Sequence, residues 1–257
     1  MKVLVIGKNG YIAKSFAEYA SCGFSIDIVD SYEEWKSAPF EGYDTVLFAA
    51  GIAHRRQTNQ KLYYEVNCDL AVSIAKKAKL AKVPHFIYLS SMAVYGKKEG
   101  KISANTIAQP THNDYYGQSK FKAENALKNL LDDNFSLAII RPPMVYGENC
   151  PGKYATLEKI SKFLWVVPNN NNKRSILYIN NLSMFLCMVI TRRETGILCP
   201  HDKEYANTAE LVKKIRQNIG KNTHVINAGI LIKILSVLPA VKTAFSSLYY
   251  EMGEGAE

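Results

Sequence analysis

The stretch KVLVIGKNGYIAKSFAEYA, Lys2 to Ala20, decides the fold. A continuous apolar run leads into a glycine-bearing turn and then into a segment whose apolar residues recur at helical spacing. Gly7 and Gly10 permit a tight turn and close approach of the backbone to a ligand, and Ala13 lets the helix pack closely on the strand. The pattern predicts strand, turn and helix, with a helix N-terminus suited to a pyrophosphate. Because the spacing is looser than G-x-G-x-x-G, a plain turn stays open as an alternative.

The second predicted strand, FSIDIVDS, ends at Asp30, about 20 residues after the glycine turn. A carboxylate at that place accepts hydrogen bonds from an adenosine ribose and repels a 2′-phosphate, which predicts NAD as the cofactor. NADP stays an alternative, because Lys8 and the arginines at positions 55–56 could weaken that preference. Asp30 also has a second interpretation as part of a helix cap, since Ser31 and Glu34 suit a capping box.

Apolar runs and helical patterns alternate over roughly the first 150 residues, which predicts an α/β fold with a doubly wound, Rossmann-like parallel sheet. Ligands of such sheets bind at the carboxyl ends of the strands, where the sequence places the glycine turn, Ala49–Gly51, Ser90–Ser91 and Pro142–Val145. Beyond Pro151 the alternation loosens. We therefore expect a cofactor-binding domain over 1–150 and a smaller substrate-binding or lid region over 151–257, with later segments such as 174–190 returning to the first domain.

Composition limits the class of protein. The 257 residues carry a net charge of +9, but the basic residues form only short clusters and no nucleic-acid-binding motif accompanies them. Five widely spaced cysteines without metal-ligand spacing predict reduced thiols, no metal site and a cytoplasmic protein. The most apolar segment, Gly229–Val241, is too short to cross a membrane and predicts a buried or docking helix, with peripheral membrane contact as an alternative.

The stretch YYGQSK, Tyr115 to Lys120, sets a phenol and an ammonium one helical turn apart. Tyr116 and Lys120 are four residues apart, so both side chains lie on one face of a helix. A nearby lysine stabilises a phenolate and is expected to lower the tyrosine pKa from about 10. The pair therefore predicts a proton donor and acceptor at Tyr116, although the same spacing also occurs on ordinary solvated helices.

Six motifs of the chain resemble those of the extended short-chain dehydrogenase/reductases. Within that group, the chain resembles the NAD-dependent epimerase/dehydratase family, which acts on nucleotide sugars. In chain order, the six motifs are GKNGYIA, FAAGIAH, YLSSMAVYG, the pair Tyr116 and Lys120, RPPMVYG and KRSILYINNL. The resemblance implies that Ser91 binds the reacting sugar oxygen, that Tyr116 is the acid and base, and that Lys120 binds the nicotinamide ribose. It further implies an enzyme that is a homodimer through the helices at 62–80 and 115–131.

The resemblance also implies a set of binding residues. Those expected at the cofactor are Gly7, Asn9, Gly10, Tyr11, Ile12, Asp30, Ala49, Ala50, Gly51, Ser90, Tyr116, Lys120, Pro143 and Val145. Those expected at the substrate, a nucleotide-diphosphate sugar, are Ser91, Met92 and Arg174, with Arg174 on the diphosphate. A plain surface arginine is the alternative for Arg174.

Departures from the family pattern narrow the predicted reaction. Met92 and Ala93 stand where the family's dehydratases have an Asp-Glu pair, which argues against dehydration. Met144 replaces the asparagine of UDP-glucose 4-epimerases, and a C-terminal R-x-G-D segment is missing. We therefore predict hydride transfer at C4 of a UDP- or dTDP-hexose, with 4-keto-sugar reduction first and 4-epimerisation as the alternative. A non-catalytic dinucleotide-binding module and reduction of a non-sugar carbonyl rank lower.

Overall fold

The structure is a computed structural model that describes residues 1–53 and 59–252, except for the side chains of residues 239 and 240. Arg55 and Arg56 lie outside the described residues. In chain order the elements are β1 (Lys2–Ile6), α1 (Tyr11–Ala20), β2 (Ser25–Val29), α2 (Glu34–Ser37), β3 (Thr45–Phe48), α3 (Gln60–Tyr64), α4 (Leu70–Leu80), β4 (His85–Leu89), β5 (Gly100–Ile102), α5 (Tyr115–Lys128), β6 (Ser136–Ile140), β7 (Met144–Tyr146), α6 (Lys153–Ser161), β8 (Val166–Asn169), β9 (Ile176–Tyr178), α7 (Ile179–Arg192), β10 (Gly196–Leu198), α8 (Thr208–Asn218), β11 (His224–Asn227), α9 (Gly229–Leu235), α10 (Pro239–Phe245) and β12 (Leu248–Tyr250).

A six-stranded sheet with the order β10-β6-β4-β3-β1-β2 forms the centre of the first unit. Every pair of neighbouring strands is parallel. The inner strands β1, β3, β4 and β6 are buried almost throughout, as expected for apolar runs covered on both faces. The chain turns to opposite sides of β1 to form β2 and β3, so the switch point of the topology lies at the carboxyl ends of β1 and β3. The predicted parallel, Rossmann-like fold is confirmed.

The first unit is built from three separate segments, Met1–Gly96, Ile107–Pro143 and Tyr178–Pro200. The last of them supplies α7, which packs on α1, and β10, which pairs with β6 at the edge of the sheet. Helix α7 presents Leu182, Leu186, Val189 and Ile190 to the interior, and all four are fully buried. The last segment, Tyr178–Pro200, therefore completes the first unit after the chain has passed through part of the second.

The second unit comprises Lys97–Thr106, Met144–Leu177 and the residues from His201 onward. It contains the parallel pairs β5–β12 and β8–β11 and a small core around Val167, Ala209 and Val212. Helix α8 begins after Asn207, whose side chain accepts hydrogen bonds from the backbone N–H groups of Ala209 and Glu210 at 2.9 and 3.2 Å. The predicted boundary at residue 150 stays a prediction.

Two helical segments differ from the sequence-based expectation. The helix predicted over 62–80 has a π-helical turn, Glu65–Asp69, between α3 and α4. The apolar segment Gly229–Val241 forms two short helices, because Pro239 suits the first turn of α10 and ends the one before it. Over residues 1–53 and 59–252, none of the helices combines the length and the apolar character needed to cross a membrane.

Candidate active site

The turn after β1 requires glycine. Gly7 has a φ of +122°, and a Cβ placed there would lie 2.9 Å from the backbone nitrogen of Ala50. The Gly10 N–H donates to the Gly7 carbonyl at 2.7 Å, and Gly10 precedes the first residue of α1. The first N–H groups of α1 have no partner inside the helix, so this turn is a suitable site for a diphosphate. Asn9 is exposed in the turn, whereas Tyr11 and Ile12 are partly buried in the first turn of α1.

Asp30 follows β2 directly and accepts hydrogen bonds from the turn that leads into the short helix α2. Its Oδ1 accepts hydrogen bonds from the backbone N–H groups of Tyr32, Glu33 and Glu34 at 2.8, 3.0 and 3.2 Å, and the Glu34 carboxylate accepts the Asp30 N–H at 2.9 Å. The bond from Tyr32 is the main reason that the pKa of Asp30 is lowered. Asp30 therefore stabilises the turn that leads into α2, whereas the N-cap residue of α2 is Glu33 and makes no side-chain cap bond. The alternative interpretation of Asp30 as part of a capping box with Ser31 stays a prediction. The turn holds an ionised carboxylate at the strand end.

Residues that follow β3 leave little space beside Lys120. A Cβ on Gly51 would lie 3.1 Å from Lys120 Nζ and 3.1 Å from Asn67 Oδ1, so a side chain at this position would displace one of them. Ala50 is buried against the glycine turn. The segment Ala49–Gly51 thus contacts both the predicted diphosphate turn and the predicted catalytic helix within the first unit.

Asn67 is a site residue that the sequence analysis missed. It lies in the π-helical turn, is fully buried, and its Oδ1 accepts the Ile52 N–H at 2.8 Å. Its amide nitrogen donates to the Ile52 carbonyl at 3.1 Å and to Ser119 Oγ at 3.0 Å. Asn67 therefore ties the loop after β3 to helix α5. One feature of the sequence could have indicated its role. Asn67 lies four residues before Ala71, so it is a polar residue on the face of the helix that the buried residues of α4 occupy.

Tyr116 and Lys120 lie on α5, which begins after Asp114, whose carboxylate accepts the Gly117 N–H at 3.2 Å. Lys120 Nζ donates to the Leu89 carbonyl at 2.7 Å and stands 4.8 Å from the centre of the Tyr88 ring. Ser91 follows β4 and accepts the Ala93 N–H at 3.1 Å. The end of β4 and the start of α5 thus bring Ser91, Tyr116 and Lys120 to one edge of the sheet, as predicted from the order of the motifs.

The expected effect of Lys120 on the Tyr116 pKa is wrong for this structure. Burial raises the pKa of Tyr116, and a side-chain interaction with Ser91 opposes the rise. Burial also lowers the pKa of Lys120 to about 7, while the Glu124 carboxylate opposes that shift. A lysine that is only partly charged at neutral pH, and that donates to a backbone carbonyl, stabilises a phenolate weakly. In this structure Ser91, not Lys120, favours the ionised phenol.

A buried ion pair lies beneath this edge of the sheet. Arg141 Nε donates to Glu124 Oε1 at 3.0 Å and its NH2 group donates to Oε2 at 2.5 Å, with both side chains almost fully buried. Ser90 Oγ donates to the same Glu124 carboxylate at 2.5 Å, and the Arg141 guanidinium stands over the Tyr95 ring. Ser90 was predicted at the cofactor, and its hydroxyl instead points to Glu124; its role in cofactor binding stays a prediction.

The ends of β4 and β6 run side by side, because the Met92 N–H donates to the Pro142 carbonyl at 2.9 Å. Pro143 is the last residue of this segment of the first unit, and Met92 is buried. Within the described part of the chain, His, Cys, Asp and Glu side chains form no cluster of three that could hold a metal ion.

A family model described as the NAD dependent epimerase/dehydratase family matches residues 3–197. The chain belongs to this family. The predicted family, and with it the predicted class of NAD-dependent enzyme, is confirmed.

The similarity of this epimerase/dehydratase family member to individual proteins is modest. It is 27% identical over 278 residues to the N-acetyl-alpha-D-glucosaminyl-diphospho-ditrans,octacis-undecaprenol 4-epimerase of Escherichia coli O157:H7, a match that covers 96% of this chain and 83% of the relative. It is 29% identical over 234 residues to the UDP-glucose 4-epimerase of Vibrio cholerae, covering 84% of this chain and 70% of the relative. The crystal structure of a dTDP-4-dehydrorhamnose reductase from Clostridium acetobutylicum has a TM-score of 0.73 at 17% identity, covering 89% of this chain and 84% of that one.

The first unit of this family member fits a dinucleotide. The glycine turn leaves no room for a side chain at Gly7, helix α1 begins directly after this turn, and Asp30, whose pKa is lowered, follows the next strand. These residues would hold the diphosphate and the adenosine ribose. Sequence-predicted contacts of Asn9, Tyr11, Ile12, Pro143 and Val145 with the cofactor stay predictions.

Arg174 belongs to the second unit of this family member. Its NH1 group donates to the backbone carbonyls of Thr243 and Ser246, both at 2.9 Å, and burial lowers its pKa. The guanidinium is thus partly engaged with the C-terminal segment of its own unit. The predicted contact with a substrate diphosphate stays a prediction. Val145, also in the second unit, accepts a hydrogen bond from Cys150 Sγ through its carbonyl at 3.3 Å.

Proposed function

We propose that the protein is an NAD-dependent 4-epimerase of a hexose or N-acetylhexosamine whose C1 carries a diphosphate. The observation that supports this most directly is the assembly of Ser91, Tyr116 and Lys120 at one edge of the sheet, with the glycine turn at the carboxyl end of β1. A binding module without chemistry would need none of the three side chains. Their presence together favours an enzyme over a regulatory dinucleotide-binding protein.

The choice of 4-epimerisation is supported by sequence relatives. Two 4-epimerases align with 96% and 84% of the chain, whereas the likeness to a 4-keto-sugar reductase is one of fold at 17% identity. The sequence analysis ranked these reactions in the opposite order. Reduction of a 4-keto sugar is the second candidate, and Met144 is the residue that favours it, because it replaces an asparagine expected in UDP-glucose 4-epimerases.

The proposed roles follow from the chemistry of the three side chains. In its ionised form, which the interaction with Ser91 favours, Tyr116 takes the proton of the C4 hydroxyl and later returns it. Once the phenol is neutral, the Ser91 hydroxyl donates its hydrogen bond to the C4 oxygen instead. When bound, the nicotinamide supplies the acceptor and donor of the hydride. Lys120 donates to the Leu89 carbonyl, and the absence of a side chain at Gly51 leaves space beside its Nζ. We assign to it the binding of a ribose hydroxyl of the cofactor.

The proposed substrates share a sugar diphosphate and differ in the group attached to it, which is either a polyprenol or a nucleoside. The E. coli relative is named for a sugar on diphospho-undecaprenol and the Vibrio relative for a UDP-sugar. Both substrates share a sugar, a glycosidic oxygen and two phosphates. A chain with a net charge of +9 attracts such dianions.

The test is a direct assay of stereochemistry at C4. The purified protein is incubated with UDP-GlcNAc, UDP-glucose and a short-chain GlcNAc-diphospho-polyprenol, with NAD⁺ and without added NADH, and the products are followed by NMR. We expect inversion at C4 of at least one substrate with no net change in cofactor absorbance. Tyr116→Phe should lower turnover by about 10²- to 10⁴-fold, whereas the neighbouring Tyr115→Phe should retain it.

Two results would decide against this proposal. Stoichiometric consumption of NADH or NADPH with a 4-keto sugar, and no inversion of the parent sugar, would establish the reductase instead. Unchanged turnover in Tyr116→Phe would remove the catalytic assignment altogether.

A further inference from the structure

The second unit displays an apolar ridge, which we define as residues 229–238, comprising α9 and the connection to α10. Six large apolar side chains of the ridge are exposed, and the two most exposed are Val237 at 85% and Ile230 at 81%. The other four are Ile234, Leu238, Leu231 and Leu235. Ile232 alone among the large apolar residues of the ridge is buried, and it anchors α9 against the unit. Single exposed apolar residues are ordinary, but a contiguous set of this size marks an interaction surface.

The chain segment that contains the ridge carries formal charges of one sign only. From residue 211 to residue 250 the sequence contains no Asp or Glu, while it contains Lys213, Lys214, Arg216, Lys221, Lys233 and Lys242. Lys233 lies within the ridge and is exposed, as are Lys214 and Lys221. Arg216 is buried and donates to backbone carbonyls, so it belongs to the interior. Lys213 and Lys242 pair with Glu210 and Glu99, which lie outside this segment, so the exposed positive charge of the ridge itself is that of Lys233. An exposed apolar strip that carries a lysine and no acidic residue matches a partner with an apolar interior and an anionic surface.

We propose that the apolar ridge docks on the surface of an anionic phospholipid bilayer, with Ile230, Ile234 and Val237 inserted at the boundary between headgroups and acyl chains. Lys233 then lies at the level of the lipid phosphates. The ridge lies on the membrane rather than across it, because the seven residues of α9 extend only about 10 Å against a hydrocarbon core of about 30 Å. The inference rests on this surface and does not depend on the proposed reaction.

A second copy of the chain fits the ridge less well. A two-fold contact would place the ridge on its own copy and bring Lys233 of each chain into an apolar interface, next to a like charge. The surrounding segment supplies no acidic residue to compensate it. An anionic bilayer compensates that charge and also covers the apolar side chains.

The experiment is co-sedimentation of the full chain with vesicles of phosphatidylcholine alone and of phosphatidylcholine with phosphatidylglycerol at three to one. We expect binding to the anionic vesicles that weakens as salt is raised. The double variant Ile230→Asp/Val237→Asp should weaken binding by about tenfold or more, since it removes two apolar anchors and adds two negative charges. Lys233→Glu should weaken binding only to the anionic vesicles.

A matched control separates this surface from general surface charge. Ile107 in the first unit is 83% exposed, so Val237→Asp and Ile107→Asp introduce the same charge at equally exposed positions. We expect weaker vesicle binding only for Val237→Asp. All ridge variants should keep the C4 assay on water-soluble UDP-sugars unchanged, so failure of membrane docking and failure of the proposed reaction give different results.

Three outcomes of the vesicle assay would overturn the inference. They are absence of wild-type binding to anionic vesicles, binding that survives Ile230→Asp/Val237→Asp, and equal loss in Ile107→Asp. Analytical ultracentrifugation without lipid tests whether a second copy of the chain occupies the ridge instead. A dimer that Val237→Asp dissociates and Ile107→Asp does not would assign the ridge to a second copy and overturn the inference.

Discussion

Lys120 is a buried amine whose pKa differs between the folded and unfolded chain, and this difference makes stability depend on pH. Burial lowers its pKa from 10.5 to about 7, so between these values the unfolded chain binds a proton that the folded chain has released. Stability therefore rises with pH across this window, by up to about 1.4 kcal/mol per pH unit. We expect the free energy of unfolding of the wild type, minus that of Lys120→Met, to increase from pH 7 to pH 9 in urea titrations. Parallel pH profiles of the two proteins would contradict the burial of a titrating amine.

The pair of Glu124 and Arg141 is expected to be sensitive to the loss of one charge. Glu124→Gln leaves the Arg141 guanidinium buried without a counter-ion, which should cost about 3–5 kcal/mol in the free energy of unfolding. Replacing both partners by Glu124→Leu/Arg141→Met should restore most of that loss, because apolar side chains of similar volume fill the site. Urea unfolding measures the wild type and the two variants.

The exposed pair of Lys36 and Glu33 provides the control for this prediction. Glu33→Gln should lower the free energy of unfolding by less than about 1 kcal/mol, and a comparable loss in Glu33→Gln and Glu124→Gln would contradict the role of burial.

At the scale of residues, the sequence predicts the side chains that carry a motif and misses those defined by distant partners. The pair Tyr116 and Lys120 is predicted from its spacing, and Ser91 is predicted from the resemblance of its motif to the family pattern. Asn67 and Glu124 were not, because their functions arise from bonds to Ile52, Ser119, Ser90 and Arg141, which lie between 15 and 52 residues away along the chain. The Tyr116 pKa was predicted in the wrong direction because burial is a property of the fold, not of the Tyr–Lys spacing.

At the scale of elements, the turn between β1 and α1 gives the sharpest prediction. Gly7→Ala forces a side chain into a φ of +122° and to within 2.9 Å of the Ala50 nitrogen, so it should destabilise the fold by more than about 1 kcal/mol. It should also weaken NAD binding by at least about tenfold, because the added methyl group keeps the backbone from the diphosphate. Urea unfolding and calorimetric titration with NAD⁺ measure the two effects.

Gly23→Ala is the matched control for this change. Gly23 lies in an open turn with nothing within 4 Å of an added Cβ, so stability should change by less than about 0.5 kcal/mol and NAD affinity should not change. Tight NAD binding by Gly7→Ala would show that the cofactor does not approach this turn.

Elements with strong local signals were predictable, and elements that depend on tertiary context were not. The buried strands β1, β3, β4 and β6 follow from apolar runs, and α8 follows from its Asn207 cap. The π-helical turn Glu65–Asp69 has no periodic signature, because one extra residue in a helix is accommodated only when its side chains find partners, as Asn67 does.

At the scale of the whole molecule, the sequence predicts a parallel sheet but not how the chain completes it. The strand β10 has three residues, only one of which is even partly buried, so it carries no apolar run to identify it as the edge partner of β6. The division of the chain into two units is also not predictable from local sequence. The segment Lys97–Thr106 belongs to the second unit and Tyr178–Pro200 to the first, and no linker of distinctive composition marks either crossing. Contacts between distant segments, not local composition, define these units.

The return of Tyr178–Pro200 to the first unit predicts which fragments fold. A fragment of residues 1–150 lacks α7 and β10, so it exposes the surface of α1 that α7 covers and the edge of β6. Losing Leu182, Leu186, Val189 and Ile190 from the interior removes more apolar burial than a marginally stable unit can spare. We expect residues 1–150 to show no cooperative urea transition, whereas residues 1–200, which contain all three segments of the unit, should unfold cooperatively and be stabilised by NAD⁺. Near-UV circular dichroism and urea titration test this, and a cooperative, NAD-stabilised transition in the shorter fragment would mean that α7 and β10 are not needed to complete the cofactor-binding unit.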